Sequence, residues 1–123
     1  MPAEDILAVL AALRRLKAEI APFVRGLNVP NQIISSLDGD ERMAVLNCKW
    51  KMDAATAVLA DPASTHADMS AAFKTVAACI KTLYRNALEW EDADTERSAQ
   101  ALEEIASAVG SRLFAFPFQK PGS

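Results

Sequence analysis

The stretch MSAAFKTVAACIKTLYRNALEW, residues 69–90, decides the fold. Within it Met69, Phe73, Val76, Ile80, Leu83, Ala87 and Trp90 recur at alternating four- and three-residue steps. That spacing lines one face of an α-helix. A helix of this length is marginal alone in water, so the stripe must be covered by other helices. Just ahead of it, Thr65 and Asp68 stand three residues apart, as a capping box requires.

Beyond Trp90 the same stepping would put Asp94 and Arg97 in the seam. A new apolar row, Ala99, Leu102, Ala106, Val109, Leu113 and Phe116, runs out of phase with the first. Either the helix breaks or kinks between Glu91 and Thr95, or one continuous helix turns its apolar face. Asp92, Asp94 and Thr95 are each able to cap a fresh helix, although no glycine or proline marks a turn.

Upstream, Ile6, Leu13, Ile20 and Leu27 repeat every seven residues, with Val9, Leu16 and Phe23 in the adjacent row. This is a broad apolar face, and it predicts a first helix over residues 3–24. Pro22 is expected to kink it or to start a new turn, and Gly26, Asn28 and Pro30 to end it. A second helical region starts near Pro30, bends at Asp38-Gly39-Asp40, and resumes with Asp38 and Glu41 spaced as a capping box. Val45, Cys48, Met52, Ala55 and Leu59 form one row there, and Met43, Leu46, Trp50 and Ala57 a second, which predicts burial on a wide face. Asp61-Pro62 closes that helix. At the far end Phe114, Phe116 and Phe118 alternate ahead of Pro117 and Pro121, the pattern of an extended segment after Leu113.

The expected fold is therefore all-α: a bundle of four helices, or of three with a long kinked last one, mostly antiparallel. Residues 1–113 would form a single domain and residues 114–123 an aromatic and proline-rich tail. Composition agrees, with 51% hydrophobic residues and four glycines in 123. Thirteen basic against sixteen acidic side chains give a net charge of -3, which argues against tracking nucleic acid or an anionic membrane surface. The whole excess falls in residues 61–123, where Glu89, Glu91, Asp92, Asp94 and Glu96 cluster. The apolar run from Ile6 to Leu13 is preceded by Glu4 and Asp5 and followed by Arg14 and Arg15, the reverse of a secretory signal. A soluble cytoplasmic protein is the expectation.

No residue set carries a catalytic, cofactor or metal signature. His66 is the only histidine, and with Asp61 and Asp68 nearby it reads as a solvated loop residue rather than a ligand. Cys48 and Cys79 lack Cys-x-x-Cys spacing and read as buried reduced thiols. The Glu-x-x-His motif, the nucleophile elbow, the phosphate loop and glycine-rich fingerprints are all missing. What remains is a non-enzymatic protein–protein interaction module, an adaptor, an immunity-type inhibitor or an assembly subunit, whose partner is another protein. Its candidate contacts are Trp90, Glu91, Asp92 and Asp94 at the acidic junction and Phe114, Phe116 and Phe118 in the tail. Trp50 lies between two lysines and Trp90 between two glutamates, so a homodimer that brings the two indoles together is also consistent with the pattern. The alternative from another class is a small helical enzyme or ligand-binding bundle that clamps an anion with Arg14, Arg15, Lys17 or Arg25.

Trp90-Glu91-Asp92-Ala93-Asp94, followed by an alanine-rich stretch to Leu102, resembles the Tyr-x-x-x-Asp/Glu export signal of the helical-hairpin proteins secreted by type VII systems. That resemblance implies a leaderless secreted hairpin, often dimeric and without enzymatic activity, with Trp90 and Asp94 as recognition residues. Trp90 stands where that family has tyrosine, Asp61-Pro62-Ala63-Ser64 stands where it has a Trp-x-Gly turn, and an extra helix precedes the hairpin.

Ile80→Asp places a charge in the middle of the apolar stripe, where burial without a partner costs several kcal/mol. Thermal unfolding of that variant, followed by circular dichroism, should lose its cooperative transition.

Overall fold

A computed structural model describes residues 3–116, and all of its regular structure is helical. Five helices follow one another: α1 (Ala3–Val24), α2 (Asn31–Ser36), α3 (Gly39–Ala60), α4 (His66–Trp90) and α5 (Ala93–Ala115). The seam from Met69 to Trp90 is α4, and it ends where the apolar row changes phase. α3 and α5 both pack closely along α4, while α1 leans mainly on α5 and less on α3.

The local chemistry explains the boundaries. Thr65 and Asp68 form the expected capping box: the Asp68 N–H donates to the Thr65 hydroxyl at 3.1 Å, and the Thr65 N–H donates to the Asp68 carboxylate at 3.0 Å. Pro22 starts no new helix, since α1 runs through it to Val24. It lies in the last turn before Val24, so a single missing donor is all it costs. The Asp38–Glu41 box does not form, and the Asp38 side chain makes no capping bond. Gly39 opens α3 with a φ of +55°, which suits glycine far better than other residues. Arg42 instead closes the end of α2, its guanidinium donating to the carbonyls of Leu37 at 2.9 Å, Ile34 at 3.2 Å and Ser35 at 3.3 Å.

One continuous core runs through the bundle. Leu16, Ile20, Val24 and Leu27 enter it from the first helix and its exit. Val45, Cys48, Met52, Ala55 and Leu59 come from α3, Met69, Val76, Ile80 and Leu83 from α4, and Ala99, Leu102, Ala106, Val109 and Leu113 from α5. The single row predicted for α3 is buried, but the second is not, since Met43 is 50% and Trp50 54% exposed. α3 is covered on one side by α4 and only lightly by α1, so a narrow stripe suffices. Gly110 allows α4 and α5 to approach closely: a Cβ there would lie 2.7 Å from the Phe73 ring. α5 also runs on to Ala115, so Phe114 is helical and the extended stretch expected after Leu113 does not begin before Phe116.

α1 is tied to the rest by a polar clasp. The Lys17 ammonium donates to the carbonyls of Pro62 and Ser64, both at 2.7 Å, and so holds the α3–α4 turn.

The capping box makes stability sensitive to acid. Hydrogen bonds from the Thr65 backbone and side chain hold the Asp68 carboxyl below its ordinary pKa. A group depressed in the folded state stabilises above its unfolded pKa, and that contribution is lost as the pH falls through the folded value. Asp68→Asn should therefore melt below the wild type near neutrality, and the gap should close as the pH is taken below about 4.

Candidate functional site

The residues singled out from the sequence fall at two opposite ends of the bundle. Trp90, Glu91, Asp92 and Asp94 sit at the α4–α5 turn. Trp90 is half-buried and packs against the core. Glu91 takes the left-handed conformation, with φ 53° and ψ 41°. The Asp92 N–H reaches back to the Ala87 carbonyl at 3.0 Å and the Glu91 N–H to the Leu88 carbonyl at 3.4 Å, the paired bonds of a Schellman ending. Asp92 then caps the next helix, one carboxylate oxygen accepting from the N–H groups of Asp94 at 3.1 Å and Thr95 at 3.4 Å. Its other oxygen accepts from the Thr95 hydroxyl at 2.9 Å, and Thr95 is almost fully buried. Asp94 is exposed and pairs with Arg97. Trp90 and Asp94 consequently lie on either side of a helix boundary and not on one helical face.

The tail residues begin at the other end. Phe114 is 61% exposed and meets the Phe73 ring edge-on at 5.4 Å. Phe116 lies 4.8 Å from the His66 ring, and His66 donates its Nε2–H to the Leu113 carbonyl at 2.8 Å. That bond fixes the proton on Nε2, because a carbonyl only accepts. Phe118 lies outside the described residues. Asp61, Asp68 and His66 do not converge: Asp61 accepts from the Ala63 N–H at 2.8 Å, and Asp68 belongs to the capping box. Among the described residues no three metal-ligating side chains come together. No helix among them is long and apolar enough to cross a membrane.

The arginines of the alternative reading are spread out. Arg14 and Arg15 are exposed, and Lys17 is committed to its two carbonyls. Arg15 lines a cleft with Ala12, Glu19, Arg112 and Phe116, and the Arg112 guanidinium lies 4.8 Å above the Phe23 ring. The two cysteines face one another across α3 and α4. The Cys48 thiol hydrogen-bonds towards Cys79, which pushes the Cys48 pKa up and holds that of Cys79 down.

The feature that sequence reasoning missed is the start of α1. Ile6, Val9 and Leu13 continue the line of Leu16 and Ile20 along one face, and periodicity alone predicts their burial. The structure leaves Ile6 46%, Leu7 65%, Val9 42% and Leu10 46% exposed. The reason is length. Lys17 reaches the α3–α4 turn and Ala12 stands beside Phe116 near the end of α5, so the other helices stop at that level. Among the described residues, α1 from Ala12 back to Asp5 therefore extends past its neighbouring helices by about 10 Å at 1.5 Å per residue. Nothing in the residue types distinguishes a buried stripe from an overhanging one; only the lengths of the neighbours do.

No protein-family model, curated protein or solved structure matches the chain.

The α4–α5 turn gives a paired prediction. Glu91→Gly relieves a non-glycine residue of its left-handed backbone and should stabilise the fold by about 0.5–1 kcal/mol. Asp92→Ala removes the cap and should cost about 1 kcal/mol. Urea titrations of the two variants should move in opposite directions from the wild type.

Proposed function

We propose that this chain is an antiparallel helical bundle that acts in the cytoplasm as a non-enzymatic protein–protein interaction module. The observation that carries the reading is the overhang of α1, where Ile6, Leu7, Val9 and Leu10 stand in consecutive turns with 42–65% of their surface in water. Contiguous apolar surface of this kind marks contact sites. Burying a leucine or isoleucine side chain contributes about 1.5–3 kcal/mol, so a partner that covers four of them gains substantially.

Phe114 adds to the same end of the molecule. It projects where α5 finishes, and the overhang passes the end of α5 at Ala12 and Phe116. An amphipathic helix with free apolar residues docks into a groove or onto another helix. The acidic junction at the opposite end contributes less to this reading, because Asp92 is occupied by backbone N–H groups and Trp90 by the core. Of the candidates there, Glu91 and Asp94 are exposed, and Asp94 already has Arg97 as its partner.

The test replaces surface without touching the core. Ile6→Asp/Leu10→Asp should leave the melting curve unchanged, since both side chains are largely solvent-exposed. Capture of a stoichiometric protein partner on immobilised chain should then fall at least about tenfold relative to the wild type. Unimpaired capture by that variant sinks the proposal for this surface.

A further inference from the structure

We infer that the overhanging turns of α1 pair with the same turns of a second copy of this chain, running in the opposite direction. The inference rests on the interaction-module reading and names the partner at that surface.

Two features of the segment point to self-pairing. The first is its charge order. Glu4 and Asp5 precede the apolar run from Ile6 to Leu13, and Arg14 and Arg15 follow it. Asp5, Arg14 and Arg15 are exposed, and among the described residues none of the three enters an ion pair. Laid antiparallel, the acidic end of each helix comes beside the basic end of the other, and the helix dipoles oppose one another favourably. Laid parallel, four arginines crowd at one end and all the acids at the other. The charges therefore select both a copy of this helix and its direction.

The second feature is symmetry of the apolar pattern. About a point between Val9 and Leu10, Ile6 mirrors Leu13, Ala8 mirrors Ala11 and Val9 mirrors Leu10; only Leu7, opposite Ala12, breaks the match in size. Ile6, Val9 and Leu10 lie towards one face of the helix, and Leu13 continues that face at the edge of the chain's own core, because their spacings are three, four and seven. A two-fold axis crossing that face near Val9 sets apolar against apolar in both copies, which is what a self-complementary interface demands. The surface is small, about two to three turns per copy and below the roughly 800 Å² per partner of a standard interface, so the pair should form and dissociate with concentration.

Sedimentation velocity of the full chain from low micromolar to near-millimolar concentration should show a monomer passing into a dimer. Ile6→Asp/Leu10→Asp should stay monomeric throughout, with an unchanged melt. Arg14→Glu/Arg15→Glu should weaken the dimer by about tenfold, and adding Glu4→Lys/Asp5→Lys to that variant should restore it. A cysteine at Val9 should crosslink to its own copy under mild oxidation. One at Asp5, roughly 13 Å from its counterpart in the antiparallel pair, should not.

Crosslinking at both positions, or a dimer unaffected by the aspartates, overturns the inference. A wild-type chain that stays monomeric while Ile6→Asp/Leu10→Asp still loses a protein partner overturns self-pairing and leaves the module reading intact. A wild-type monomer with no partner sensitive to those aspartates ends both. Dimerisation only after removal of residues 117–123 also overturns the inference, since the chain's own C-terminus would then be the occupant.

Discussion

The reversal at Glu91 and Asp92 is the constraint on which the rest of the structure depends. Two residues end α4 and begin α5 back to back, with a Schellman pair closing one helix and a carboxylate cap opening the next. No loop separates them, so the direction in which α5 leaves is set by the left-handed conformation of Glu91. That direction brings the row from Ala99 to Leu113 against the seam of α4, and α1 in turn packs mainly on α5. Of the acidic residues that make the region conspicuous in the sequence, Asp92, Asp94 and Glu96 stand at the start of α5, where free N–H groups favour carboxylates, whereas Glu89 and Glu91 stand at the end of α4, where the helix dipole does not.

Much of this is legible in the sequence. The seam of α4, the row of α5 and the buried row of α3 from Val45 to Leu59 all follow from spacing, because a side chain's direction on a helix is fixed by its position. The Thr65–Asp68 box was legible for a similar local reason. The Asp38–Glu41 pair shows the limit of such signals. It has the same spacing, yet Gly39 turns the backbone out of register and Arg42 supplies the closure from the other direction.

The candidate surface was legible only in part. Spacing identifies a face but not how far the neighbouring helices extend, so Ile6 and Ile20 look equivalent in the sequence and differ completely in the fold. Met43 and Trp50 fail to bury for a related reason, since α1 covers α3 only lightly. The residues first drawn to notice by charge, Asp92 above all, turn out to hold the chain together, while the more exposed apolar surface comes from a stretch that reads as ordinary core.

The Lys17 clasp bears on chain entropy. α3, α4 and α5 are joined by short turns and meet their sequence neighbours, so their contacts close small loops at little entropic cost. α1 meets α5 across most of the chain's length, as Gly26 beside Ile105 illustrates, and closing so long a loop costs more. Lys17 binding the carbonyls of Pro62 and Ser64 is a polar latch on that long closure. Its release would free the one helix whose departure uncovers a side of the core without breaking the turns that join the other three.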